Sequence, residues 1–139
     1  MELLSIIVDD ETYAVEVKLV QKVARRMSWT GVPTAPRAVV GIANLKGGIV
    51  TLLSLSELLK RGRSGSAEYA VVLKPFSDGY GQIGLLIDRP GGLITIDDER
   101  ILPQHFTSEE QDENVISGLA DLDGHLYRII DIQAILRRY

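Results

Sequence analysis

Two stretches of the chain repeat one another without a gap. Residues 41–59, GIANLKGGIVTLLSLSELL, align with residues 118–136, GLADLDGHLYRIIDIQAIL, an offset of 77 positions (118 against 41). Both copies read as strand, glycine turn, strand, capping residue, short helix. Gly47 falls against Gly124, and Ser54 against Asp131, both good helix N-caps. Upstream, the pattern of Tyr13–Val17 returns at Ile83–Ile87, 70 positions on (83 against 13). A repeat of this length is too small to bury a stable core alone, so two copies must share one.

The rest of the pattern is mainly β. Leu3–Val8 is a short apolar run closed by the polar turn Asp9-Asp10-Glu11. Tyr13–Val17 alternates and is β-branched. Lys18–Arg26 is ambiguous, with Leu19, Val20 and Val23 at helical spacing but also suited to a bent strand. Pro33 and Pro36 hold Val32 and Ala35 extended and mark a connection. Val39–Leu45 and Ile49–Leu55 form strands about Lys46-Gly47-Gly48, where glycine supplies the conformations of a tight hairpin. Ser54 followed by Glu57 predicts a capping box and a short helix through Leu58 and Leu59, with Gly62 as its left-handed cap. Residues 62–66, rich in Gly, Ser and Arg, predict a connector. Strands resume at Tyr69–Leu73, Gln82–Ile87, Leu93–Ile96 and Leu126–Ile130. Ile101–Asn114 is polar and irregular. Asp131 caps a last helix, Ile132–Arg138.

Bulk properties narrow the function. The chain has 139 residues, a single domain by length. Its net charge of −4 disfavours nucleic acid, which needs concentrated Lys and Arg to displace counterions. The absence of cysteine removes disulfides, thiolate nucleophiles and Cys-based metal sites. No run approaches the ~18 apolar residues of a membrane helix, and Met1–Asp10 does not read as a signal peptide. A soluble protein is expected.

Candidate chemistry is thin. Gly79–Gly84 spells G-x-G-x-x-G, but the nucleotide-binding version opens a helix, and here Leu85–Ile87 reads as a strand. Asp121, Asp123 and Asp131 are hard-metal ligand types, yet two flank a glycine turn and the third is a cap. His105 and His125 lack any matched ligand spacing. Ser28, Ser54 and Ser117 have no nucleophile-elbow context. No cofactor or metal is expected. Trp29 and Tyr139 suit an interface, and Trp29 equally suits a core. Arg25-Arg26 and Arg137-Arg138 are solvated charges able to steer an acidic partner.

Taken in order, Tyr13–Val23, Val32–Pro36, Val40–Gly47, Gly84–Asp88 and Ser117–Ala120 resemble the CheW family of chemotaxis coupling proteins, over nearly the whole chain. The family pattern is an extended pair, prolines, V-x-G-x-x-N-L-R-G, then an apolar strand ending in Asp-Leu. The resemblance implies two five-stranded, SH3-like β-barrel lobes packed together, at about 11–62 and 68–139, with strand 1–10 completing either. It implies a cytoplasmic, non-enzymatic adaptor. Its partners would be the regulatory domain of a CheA-type histidine kinase, itself of this fold, and the cytoplasmic tip of a chemoreceptor. Kinase contacts are expected at Ile42, Leu45, Gly47 and Ile49, and receptor contacts at Lys22, Val23 and Lys46. The sequence departs from the pattern here. Lys46 replaces the motif Arg, and Lys22 stands where a Glu is usual, so two cations replace an opposite-charge pair. Ser54 stands for the usual Asp, and Thr51 for a common Pro. A rival expectation is a nucleotide- or small-molecule-binding enzyme subunit using Gly79–Gly84.

Overall fold

The computed structural model describes residues 1–25, 27–45, 48–60, 67–75, 82–103 and 115–139. These form strands β1 (Glu2–Val8), β2 (Glu11–Glu16), β3 (Val20–Arg25), β4 (Val39–Leu45), β5 (Gly48–Ser54), β6 (Tyr69–Leu73), β7 (Gln82–Ile87), β8 (Arg89–Thr95), β9 (Ile101–Pro103), β10 (Ile116–Leu122) and β11 (His125–Ile130). Two helices, α1 (Leu55–Leu58) and α2 (Ile132–Arg138), follow β5 and β11. The ambiguous 18–26 segment resolves into a 3-10 turn at Val17–Leu19 running into β3.

The strands pair into two sheets. One has six strands in the order β8-β1-β2-β11-β10-β9, the other five in the order β3-β6-β7-β5-β4. The expected five strands per lobe therefore hold for one sheet only. The expected contiguous lobes need a larger correction. β1 and β2 of the first half pair with β8–β11 of the second, while β6 and β7 of the second half pair with β3–β5 of the first. Each repeat thus lends its leading hairpin to the other. The joints are parallel pairs, β11 on β2 and β5 on β7.

Burial explains why the central strands read as nearly unbroken apolar runs. Side chains alternate between the two faces of a strand. On β6, Ala70 and Val72 pack in a cluster with Ala43, Val50, Leu52 and Leu86, inside the five-stranded sheet. Their neighbours Val71 and Leu73 turn the other way, into a larger cluster that joins both sheets. On β2, Ala14 packs in the six-stranded sheet's own cluster with Leu3, Ile94, Ile96, Ala120 and Ile129. Tyr13 and Val15 enter the shared one.

The helices plug that shared core. Leu55 and Leu58 of α1, and Ile132 and Ile135 of α2, are all buried in it. A four-residue helix is far below the length that holds alone in water, so burial and capping fix it. Ser54 Oγ accepts from Glu57 N at 3.2 Å, and Asp131 Oδ1 accepts from Ala134 N at 3.0 Å. The capping box is only half made. The backbone N–H of Ser54 donates to Ala38 O, and the Glu57 carboxylate accepts from Arg37 Nε at 3.0 Å. The predicted Gly62 cap lies outside the described residues. Lys60 supplies a left-handed residue after α1, at φ 63°.

The five-stranded sheet curls until its two ends approach. Beyond β3, Thr30 forms a two-bond bridge with Ile42 of β4, both bonds 2.8 Å. At the equivalent place in the other sheet, Leu102 of β9 pairs with Leu119 of β10, the position 77 residues beyond Ile42 (119 against 42). The crossing strand comes so close that the opening glycine of each repeat is obligatory. A Cβ on Gly41 would collide with Thr30 O and the Trp29 ring, and one on Gly118 would lie 2.8 Å from Leu102 O. Both glycines adjoin register shifts, at Val39/Gly41 and Ile116/Gly118. Gly118→Ala should therefore destabilise the protein by about 1–3 kcal/mol. Gly31→Ala, which meets no atom within 4 Å, should stay within about 0.5 kcal/mol of the parent. Urea unfolding midpoints of the two variants check the contrast.

Candidate functional site

The β4–β5 hairpin carries the proposed kinase-facing residues. Ile42 pairs with Thr51, and Asn44 with Ile49. Residues opposite one another share a face. Ile42, Asn44, Ile49 and Thr51 thus line the outer side of the hairpin, with Ile42 38% and Ile49 59% exposed. Ile42 and Ile49 are diagonal neighbours there. None of these four side chains is charged, so the face is neutral, with apolar Ile42 and Ile49 beside polar Asn44 and Thr51.

Leu45 does not belong to that face. It has the parity of buried Ala43 and is half-buried against Ala43, Val50 and Leu52 in the sheet interior. Its expected role as an exposed contact is therefore corrected: it supports the hairpin from below. Gly47 and Lys46 lie outside the described residues.

Lys22 and Val23 are both exposed on β3, an edge strand with β6 as its one neighbour. Adjacent strand residues point to opposite sides. Val23 pairs with Val71, on the shared-core side, and Lys22 pairs with Val72, on the sheet-interior side. They therefore lie on opposite faces of β3. Farther along, Arg25 stacks over the Tyr69 ring at 5.4 Å and lies 3.9 Å from Glu68.

Trp29 is 41% exposed, with its ring beside Gly41, so it sits at the mouth of the five-stranded sheet and serves neither as a buried core residue nor as a free one. Tyr139 is 42% exposed at the chain end.

The second repeat carries a matching outer face that the sequence reading passed over. Leu126 occupies the place of Ile49 and is also 59% exposed. With Leu119 and the 55% exposed Leu102 it forms an apolar stripe on the six-stranded sheet. Ion pairs rim it, Arg128 to Glu11 at 3.3 Å and Arg100 to Asp123 at 4.0 Å. The 77-residue offset applied to Ile49 would have found Leu126.

The enzymatic candidates dissolve into structural roles. Residues 79–81 lie outside the described set, but Gln82–Ile87 is a strand, so no helix N-terminus follows the glycines to receive a phosphate. Gly84 is buried within that strand, its Cβ position 3.0 Å from Leu52 Cδ2. Asp121 Oδ1 accepts from Gly124 N at 3.2 Å, and Asp131 caps α2. His105 is outside the described residues. Among the described residues no helix is long and apolar enough to cross a membrane.

Replacing Ile49 by Asp should change stability by less than about 0.5 kcal/mol, whereas Leu45→Asp should cost about 1–3 kcal/mol, because only the second carboxylate must enter the sheet interior. Paired urea titrations of the two variants separate surface from support.

Known proteins agree with this architecture. A profile described as the CheW-like domain matches residues 2–139. The chemotaxis protein CheW of Helicobacter pylori is 28% identical over 144 residues, covering 99% of this chain and 82% of that protein. CheW of Thermotoga maritima is 24% identical, covering 97% and 87%, and the probable CheW of Rhizobium etli is 22% identical, covering 96% and 86%. The crystal structure of the scaffolding protein TtCheW from Thermoanaerobacter tengcongensis superposes with a TM-score of 0.79 at 23% identity, over 93% of this chain and 87% of that one. With two exchanged-hairpin sheets and a profile match over all but its first residue, the chain belongs to the CheW-like domain family and shares the architecture of chemotaxis adaptors.

Proposed function

We propose that this chain couples a CheA-type histidine kinase to the cytoplasmic tip of a chemoreceptor. The observation that carries the proposal is the uncharged face of β4–β5, with Ile42 and Ile49 exposed on a hairpin braced from inside by Leu45, Val50 and Leu52. Exposed apolar side chains on a rigid sheet suit a permanent or repeatedly made protein contact, since their burial supplies free energy and the sheet loses little entropy on docking. The kinase's regulatory domain docks on this face. The receptor tip docks along the β3 edge at Val23 and Lys22, with Lys46 as the third expected contact.

The cationic side chains set the receptor preference. Lys22 and Lys46 present two point charges where an Arg–Glu pair would neutralise itself, so the favoured receptor is one with acidic residues at its tip. The contact is solvent-exposed, and its strength falls as salt rises.

Calorimetric titration with the regulatory domain of the CheA-type kinase from the same organism tests the kinase half. Saturable one-to-one binding is expected, weakened about tenfold or more by Ile49→Glu at the centre of the face. Lys22→Glu should leave that affinity unchanged and lower the affinity for a receptor-tip fragment. Absence of kinase-domain binding at high micromolar concentration would sink the coupling role for that kinase.

A further inference from the structure

Thr30 exchanges two main-chain bonds with Ile42, Thr30 N to Ile42 O and Ile42 N to Thr30 O, both 2.8 Å. Residues directly opposite one another in an antiparallel pair set their side chains on one face. Thr30 therefore stands in line with Ile42 and, through the β4–β5 register, with Thr51. A row of uncharged side chains crosses from the hairpin onto the segment that follows β3.

That segment is exposed and yet carries no charge. From Met27 to Pro36 there is no charged residue, in a chain where charged residues make up 24%. Arg26 precedes the stretch and Arg37 follows it, so it is bounded on both sides. All of it is exposed except half-buried Met27 and Ala35. Trp29 and Val32 are among its exposed residues, each at 41%. Depletion of charge around an exposed tryptophan is the composition of the centre of a protein–protein contact.

The segment also holds its shape before any partner arrives. The bridge fixes Thr30. Ala35 N donates to Val32 O at 3.4 Å, closing a turn with Pro33 second and Thr34 third, the latter in the left-handed region at φ 60°. Val39 N donates to Pro36 O at 2.9 Å, closing another turn into β4. Two prolines restrict the backbone further. A segment ordered in this way loses little conformational entropy on docking.

We infer that Thr30 and Val32 contact the same partner as Ile42 and Ile49, the regulatory domain of the CheA-type kinase. The inference rests on the reading of the hairpin face given above and extends that face onto the crossing segment. Continuity names the occupant. Thr30 lies one strand spacing, about 4.8 Å, from Ile42, so a domain that covers Ile42 covers Thr30 as well. Size argues the same way, since a stable contact takes about 20–30 residues from each side and the hairpin face alone offers far fewer.

Calorimetric titration with that regulatory domain tests this, on the parent chain and on Ile49→Glu, Thr30→Glu, Thr30→Val and Val32→Glu. Thr30→Glu and Val32→Glu should each raise the dissociation constant about tenfold or more, because each sets a carboxylate beneath the docked domain. Thr30→Val keeps the side-chain shape and the main-chain bridge, and should stay within about twofold of the parent. Urea midpoints of both Glu variants should match the parent, since both positions are exposed. If the Thr30→Glu midpoint falls, Val32→Glu, at a residue outside any strand, decides the question. Weakened binding by Ile49→Glu, with parent-like binding by Thr30→Glu and Val32→Glu, would overturn the inference and leave the coupling role standing. A parent chain that does not bind the domain would overturn both.

Discussion

Everything in this molecule depends on a hydrophobic core that belongs to neither sheet alone. Ile6, Val8, Tyr13 and Val15 enter it from the six-stranded sheet, and Leu53, Val71, Leu73, Leu85 and Ile87 from the five-stranded one. Among the described residues the smaller clusters inside the sheets hold six buried residues each, too few to offset the ordering entropy of the strands around them. The exchanged hairpins make the dependence structural as well as energetic. Unpairing β1–β2 from β11 opens the six-stranded sheet at its middle and strips Tyr13 and Val15 from the common core in the same event. Unfolding should for this reason be a single cooperative transition.

The turn geometry ties the halves further. Asp9 and Asp10, both at positive φ, turn β1 into β2. Asp9 N donates to Asp88 Oδ2 at 2.9 Å, and Asp9 Oδ2 accepts from buried Ser56 Oγ at 2.5 Å. A turn of the first repeat is thus held by the end of β7 and the start of α1. These bonds are short and partly shielded, so each contributes more than a surface pair would.

Much of this was legible from the residues. The 77-residue repeat located both hairpins, both caps and both helices, because each signal was local. The strand exchange was not legible, since the alternation in β2 says that Tyr13 and Val15 share a face but not which strand lies beside them. β8 was read only from Leu93 onward, because Arg89-Pro90-Gly91-Gly92 carries turn residues that here make a bulge on an edge. β9 is three residues long and leaves no periodicity. Leu45 was grouped with Ile42 and Ile49 by proximity along the chain. Parity argued otherwise: 42 and 45 differ by an odd number, so a regular strand must turn them to opposite sides.

Duplication also explains how one small fold presents unlike surfaces. Two copies begin with the same edges and the same hairpin faces, and the shared core constrains them equally. What is free to diverge is the solvent side. The β4–β5 face is uncharged, while its counterpart with Leu102, Leu119 and Leu126 has an ion-paired rim of Arg128, Glu11, Arg100 and Asp123. β3 carries Lys22 and Arg25, and β8 carries no charge from Pro90 to Thr95. Opening glycines Gly41 and Gly118 could not diverge at all, because each lies against a crossing backbone that leaves no room for a methyl group. Packing fixed the interior twice over, and electrostatics made the two exteriors different enough that partners can tell them apart.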